Sequence, residues 1–469
     1  MLEPVIGLEV HLALRTRTKL FCACPSEGFG LGPNVNTCPV CLGLPGSLPV
    51  VNEAALELAL TFALALGCEV PGRSRFHRKH YFYPDAPKNY QISQYDEPLG
   101  QGGGIDLPSG RRIGITRVHL EEDAGRLVHP AYADYSLVDL NRAGAPLIEM
   151  VTEPDLRTPE EARSFLGEVR AIARALGVSD ASPEEGKLRA DVNVSLRAPG
   201  APYGTKVEVK NLNSFKSVAA ALAFEIRRQS ILLEEGRSVV QETRGWNEGG
   251  QKTYVMRGKE GEADYRYMTD PDLPEIVVAP DWKDAVLARM PELPAAKERR
   301  FAAMGLREAD AHQIAYDVAT ARVFEEAAEA YGGEPQIVAN WLVTEIAGVL
   351  NQRGTVLEAC ALRPDGLAAL LELVDDGVIS GKIAKELLPD VIDGADPRER
   401  VETLGLKQVA DEDELAAVVD RVLLANPDLV ARVKANPKAI NALLGQVMRE
   451  TGGVAKPDLV RRLLDARLA

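Results

Sequence analysis

The stretch V-I-G-L-E-V-H-L-A-L, residues 5–14, opens the chain with a clear strand pattern. Its apolar residues Val5, Ile6, Leu8, Val10, Leu12 and Leu14 predict a β-strand. Side chains alternate faces along a strand, so Glu9 and His11 project to one side, one pleat apart. A carboxylate and an imidazole sharing a face can bind a divalent metal or run acid–base chemistry. The same alternation also suits a strand with one wet face. Matching carboxylates elsewhere in the chain decide between the two.

Later stretches offer them. In I-G-I-T-R-V-H-L-E-E-D-A-G (113–125) a strand runs into acids. His119, Glu121 and Asp123 share one face, and Leu120 and Glu122 the other. In L-I-E-M-V (147–151) Glu149 sits inside an apolar run, where an acid needs a cation or a metal as partner. In K-L-R-A-D-V-N-V-S-L-R (187–197) Asp191, Asn193 and Ser195 alternate onto one face. Lys206, Glu208 and Lys210 do the same on the next predicted strand. Asn211, Asn213 and Ser214 can then cap a helix over 218–235. A helix start beside Lys210 suits a phosphate, or simply ends a solvated edge strand.

With 469 residues the chain exceeds one ordinary core, and two or three domains are expected. A hydrophobic content of 46% and a charged content of 26% fit a soluble globular protein. No run of about 18 apolar residues predicts a membrane span. The N-terminus lacks a basic segment followed by an apolar one, so no secretory leader is expected. The net charge of -15 argues against a protein that coats nucleic acid indiscriminately, while leaving room for a local basic patch.

Residues 15–50 are rich in Cys, Gly and Pro. Cys22 and Cys24 form C-x-C, and Cys38 and Cys41 form C-P-V-C. Two close thiol pairs joined by a loop match a tetrahedral zinc site with no open position, hence a structural one. Four unliganded thiols are the alternative. Cys68 and Cys360 stand alone in apolar stretches and read as core residues.

Residues 51–66 predict a helix capped by Asn52, and Thr158-Pro159-Glu160-Glu161 is a capping box opening another. Between them, residues 75–96 pack Arg75, Arg78, Lys79 and Lys88 among Phe76, Tyr81, Phe82, Tyr83, Tyr90 and Tyr95. Cations can hold phosphates while the rings stack bases. A Pro-punctuated loop with buried tyrosines reads equally well. Neither a Walker A pattern nor a G-x-G-x-x-G after a strand occurs, so a nucleotide site here is neither a P-loop nor a Rossmann crevice. After Pro280 the chain turns to Ala, Leu, Glu, Val and Arg with helical periodicity. A helical domain is expected over 291–400, with a linker at 394–400, then a small helical module over 401–469. The end of that module carries Lys438, Arg449, Lys456, Arg461 and Arg462, which suit a nucleic-acid backbone or a solvated face.

Together these stretches resemble the B subunit of the tRNA-dependent amidotransferases. The resemblance is carried by I-G-L-E-V-H, C-P-V-C-L-G-L-P-G, Y-F-Y-P-D-x-P-K-x-Y-Q-I-S-Q-Y-D, H-L-E-E-D-A-G, D-L-N-R-x-G-x-P-L-I-E, D-V-N-V-S, V-E-V-K-N-L-N-S-F, D-Y-R-Y and N-A-L-L-G-Q-V-M-R-E-T, in order over nearly the whole chain. The family implies an α+β fold: a mixed-sheet, cradle-like kinase domain (1–290), an all-α domain (291–400) and a helical tail that touches tRNA (401–469).

It also implies a cytoplasmic enzyme that works with two partners of one complex, an amidase (glutaminase) and a further small subunit. ATP phosphorylates the side-chain carboxylate of Glu-tRNA(Gln) or Asp-tRNA(Asn), and ammonia from the amidase displaces phosphate. Glu9, His11, one of Glu121 and Glu122, and Glu149 would hold Mg²⁺ directly or through partners. Lys79, Lys88, Lys210 and Arg266 would hold ATP phosphates, and Cys22, Cys24, Cys38 and Cys41 a structural Zn²⁺. The family usually has Asn at His80, Gly at Asn89 and Phe at Met268; these departures leave the acidic and basic candidates intact. A non-catalytic tRNA-binding scaffold is the competing reading.

Overall fold

The computed structural model describes residues 2–468, apart from residues 29, 131, 259–264, 407–411, 437–438 and 452–454. The chain forms two compact units, 1–293 and 294–469.

The first unit is built on a nine-stranded sheet. Its order is Lys252–Gly258, Glu242–Asn247, Val207–Lys210, Leu188–Arg197, Glu3–Ala13, Pro146–Thr152, Arg112–Glu122 and Gly100–Gln101, with Gly104–Asp106 also pairing to Arg112–Glu122. The opening strand is thus central, between partners roughly 140 and 190 residues downstream, and such distant pairing is set by burial rather than by turn geometry. Only Val207–Lys210 with Glu242–Asn247 is a parallel pair among these strands, so the sheet is mixed. Ile6, Leu8, Val10 and Leu12 are buried in one core with Leu60, Phe62, Phe165, Leu166 and Leu222. The last five come from helices Glu53–Ala65, Pro159–Ala175 and Phe215–Glu234, which cover that face of the sheet. The opposite face keeps the polar residues.

Local chemistry fixes the helix starts. The Asn52 side chain accepts from the Ala55 amide, and Thr158 Oγ1 from the Glu161 amide with Pro159 at the first turn. The third helix begins at Phe215 rather than at the expected Val218, because Ser214 alone caps it, accepting from the Ser217 amide. Asn211 instead takes a left-handed turn, φ 64°. Beneath the sheet Glu225 is fully buried, and takes bonds from Thr253, Arg228 and Arg244.

A small three-stranded sheet, Met268–Thr269, His77–His80 and Tyr90–Ser93, carries the basic–aromatic segment. Asn89, where the family usually has Gly, adopts φ 62°, a conformation Asn tolerates better than most residues.

The described part of the second unit is helical. One apolar core gathers Phe301, Phe324, Leu342, Leu371, Leu388 and Val401. A separate one gathers Leu415, Val419, Leu443, Val460 and Leu464. The linker expected over 394–400 is instead largely the start of helix Pro397–Leu404, capped by Asp396, with Val401 in the first core. Asp before Pro is a helix-start signal that outweighs the break suggested by Gly394. No helix among the described residues is long and apolar enough to cross a membrane.

Candidate active site

Strand register builds the site. His11 lies opposite Glu149, and Glu149 lies opposite His119 on its other side. The three form a row across three strands, and alternation adds Glu121 beside His119 and Glu9 beside His11. His11 Nε2 is 3.4 Å from Glu149 Oε2 and 3.8 Å from Glu121 Oε1. His119 Nε2 is 3.9 Å from both carboxylates, and Arg117 reaches Glu149 at 3.7 Å. His119, Glu121 and Glu149 are all buried. Ligand atoms of His11, Glu121 and Glu149 lie within 4.8 Å of one another, a spacing one cation can bridge.

The electrostatics follow from crowding acids and bases in a dry place. Burial alone would push His11 down, but the bond and charge of Glu149, with Glu121 behind it, raise it to about 9. Burial lifts Glu121 to about 7, and Glu149 adds to this against His11 and Lys79. Burial also works against Glu149, yet His119, His11 and Lys79 hold it well below the usual carboxylate range. Burial pushes His119 down to about 4, so it stands neutral, its Nδ1 without a partner. Without a cation the cluster therefore keeps protons on His11 and partly on Glu121 at pH 7.

A second acid group adjoins the first. Glu9, Asp191 and Glu208 also bring oxygens within 4.8 Å of one another. Lys210 Nζ sits between Asp191 (2.9 Å) and Glu208 (3.1 Å), and Asn193 donates to Glu9 at 3.1 Å. Burial, then the nearby Glu149, raises Glu9. Sequence alternation puts Asp191 and Glu208 on strand faces without selecting them. Their shared face with Glu9 arises from pairing Glu9 with Asp191 and Asn193 with Glu208.

The other candidates separate. Glu122 points away from Glu121: it is ion-paired with Lys88 and accepts from the Ile92 amide at 2.8 Å. That pair lines a small cavity beside the cysteines, together with Cys22, Cys41 and Gly144. Lys79 stays with the first cluster, its pKa raised: burial opposes its charge, and Glu121 leads the groups that favour it. Its ammonium lies 5.0 Å from the Tyr265 ring centroid. Arg266 is exposed, and its backbone turns left-handed at φ 45°.

The Sγ atoms of Cys22, Cys24, Cys38 and Cys41 lie within 4.8 Å of one another, and none is in a disulfide. Bonding with Cys22 pulls Cys41 down to about 4, helped by the fully buried Lys19, whose Nζ is 3.8 Å away. Burial lifts Cys24 to about 11, and the bond to Cys41 drives Cys22 up. Such a cluster cannot release all four protons without a cation, and its donor set fits zinc.

In the second unit Arg449, Arg461 and Arg462 are exposed on helices Ile440–Glu450 and Pro457–Leu468, and Lys456 is half-buried. Lys438 lies outside the described residues.

Comparison with known proteins agrees along the whole chain. Residues 4–284 match the model of the GatB/GatE catalytic domain, and residues 322–468 match that of the GatB domain. The B subunit of an aspartyl/glutamyl-tRNA(Asn/Gln) amidotransferase from Thermus thermophilus is 57% identical over 99% of this chain and 98% of its own. The protein of that name from Deinococcus radiodurans is 54% identical over 99% of each chain. One from Carboxydothermus hydrogenoformans is 50% identical over 100% of this chain and 99% of its own. The chain belongs to the family formed by the B subunits of aspartyl/glutamyl-tRNA(Asn/Gln) amidotransferases.

Proposed function

We propose that the chain is the kinase-transferase subunit of a cytoplasmic, tRNA-dependent amidotransferase. It would assemble with an amidase partner and a further small subunit, and act on Glu-tRNA(Gln), Asp-tRNA(Asn) or both. A carboxylate is a poor electrophile because its leaving group would be oxide. In the first step a carboxylate oxygen of the misattached amino acid attacks the γ-phosphorus of ATP, and the bond to the β,γ-bridging oxygen breaks. This releases ADP and leaves an acyl phosphate. In the second, ammonia from the amidase attacks the acyl carbon and phosphate departs.

The observation that best supports this reading is the convergence of His11, Glu121 and Glu149 beside Lys79. These three residues would hold Mg²⁺, with the Glu9–Asp191–Glu208 group as a second acidic site next to it. When bound, Mg²⁺ offsets the charge of the transferring phosphoryl group. His119, neutral and buried, packs against both carboxylates of the first group. Lys79, beside the acid cluster, is the cation assigned first to the ATP phosphates, with the exposed Arg266, in the turn between Tyr265 and Tyr267, as a second; Lys88 is paired with Glu122 and Lys210 bridges two acids. The four cysteines would hold Zn²⁺ to brace the loop after the first strand, and the exposed arginines of the last helices would contact tRNA.

Hydroxylamine tests the acyl phosphate. The three-subunit complex, given ATP, Mg²⁺, charged tRNA and hydroxylamine but no glutamine, should yield the side-chain hydroxamate on the tRNA. ADP formation without hydroxamate would sink the reading.

A further inference from the structure

Of the aromatic residues in the basic segment, the fold singles out one. Tyr95 stacks on Tyr267 with ring centroids 4.1 Å apart and planes 11° from parallel. One face of Tyr95 is thus taken, yet the residue is still 52% exposed. Its partner is braced from behind. Tyr265 meets Tyr267 edge-on at 6.1 Å, and the Lys79 ammonium lies against Tyr265. The backbone on either side is pinned by one residue: the His80 amide donates to the Tyr265 carbonyl at 2.9 Å, and His80 Nδ1 lies 2.8 Å from the Arg266 carbonyl. A carbonyl only accepts, so Nδ1 carries the proton there. This holds Arg266 in its left-handed turn and fixes the tyrosines on both sides of it.

The platform stands next to the acid cluster. Ser93, two residues before Tyr95, donates to Glu121 at 3.4 Å. Tyr267 feels the same groups: burial raises its pKa, Lys79 works against that, and Glu149 and Glu121 add to it. A rigid ring with one open face, beside groups suited to phosphate and metal, is how proteins take up a flat base without reading its edges.

We propose that Tyr95, backed by Tyr267, is the stacking platform for an adenine base of a substrate held at the acid cluster. The inference rests on the proposed function, in which both substrates end in adenine: ATP, and the 3′-terminal adenosine of tRNA. The shared chemistry is the purine ring, and kinetics separate its two sources.

The test uses the three-subunit complex with Tyr95→Leu, Tyr95→Ser and Tyr95→Phe, each checked by circular dichroism. KM is measured separately for ATP and for charged tRNA. Loss of one base–aromatic stack corresponds to a weakening of roughly fivefold to hundredfold. Tyr95→Leu and Tyr95→Ser should raise one KM by at least about fivefold, with a smaller change in kcat, and Tyr95→Phe, which keeps the ring, should restore it. A rise confined to ATP assigns the nucleotide's base, and a rise confined to tRNA assigns the terminal adenosine. Unchanged values of both KM in folded, active Tyr95→Leu, or a Tyr95→Phe as impaired as Tyr95→Leu, would overturn the platform. A wild-type complex without ATP turnover stimulated by charged tRNA would instead bring down the functional reading beneath it.

Discussion

Glu149→Gln is the substitution with the most to say about the site. It keeps the shape of the side chain and removes one charge from the centre of a three-strand row. His11 sits 3.4 Å from that charge, and its pKa of about 9 is sustained mainly by Glu149 against burial. Without that bond and charge only Glu121 opposes burial, so the His11 pKa falls well below about 9, each unit of the fall being about 1.4 kcal/mol of lost interaction. The sign for stability follows. A folded pKa raised above the unfolded one stabilises fully below about 6.5, and the contribution is lost as pH rises through about 9. The variant lacks that contribution, so its deficit is largest below about pH 6.5 and shrinks toward pH 9. Histidine ring resonances followed by NMR titration of the metal-free chain report the pKa, and urea unfolding at pH 6 and 9.5 reports the linkage. A His11 pKa that stays near 9 in Glu149→Gln would refute the electrostatic account of the cluster.

Other consequences are equally open to measurement. Mg²⁺ or Mn²⁺ binding at this cluster must displace the His11 proton and part of the Glu121 proton, so apparent affinity rises with pH between 6 and 9, by about tenfold per pH unit for each proton released. Calorimetry in buffers of different ionisation enthalpy should count one to two protons at pH 7, and zero would place the ion elsewhere. The purified chain should hold one zinc, and Cys38→Ser should lose it and expose residues 15–50 to protease while the sheet persists; equal protease sensitivity would remove the bracing role. Glu225→Ala removes the fully buried carboxylate that Arg228, Arg244 and Thr253 share, leaves Glu242 as the remaining acid for both arginines, and should cost about 1.5–3 kcal/mol in urea unfolding. A cost under about 1 kcal/mol would mean that the network is relaxed by water.

Period-two alternation makes half of the site readable in the sequence. It puts Glu9 with His11 on one face, and it favours Glu121 over Glu122 as the inward acid. The structure agrees with this alternation, since Glu122 turns to Lys88. An acid inside an apolar run flags Glu149 for the same kind of local reason. What alternation cannot give is register between strands far apart in the chain. It assigns His119, Asp191 and Glu208 each a face, yet only the pairings His11–Glu149–His119 and Glu9–Asp191 bring them into one place. The same limit hides Asp191 as a partner of Lys210, whereas Glu208, two residues earlier on the same face, is a local one. Tyr267 is invisible as a partner of Tyr95, because about 170 residues separate them and no local pattern couples the two. The expected linker at 394–400 fails differently: the capping signal at Asp396-Pro397 is present in the sequence but is masked by the neighbouring Gly and Ala.

The central claim is a kinase step driven by charged tRNA. The direct measurement is phosphate release from ATP by the three-subunit complex, with and without Glu-tRNA(Gln) and Asp-tRNA(Asn), and with Glu149→Gln in parallel. The account predicts release stimulated by at least one charged tRNA, and its loss in the variant while tRNA binding is kept. Release that ignores both charged tRNAs, or that survives undiminished in Glu149→Gln, would contradict it and favour a tRNA-binding scaffold.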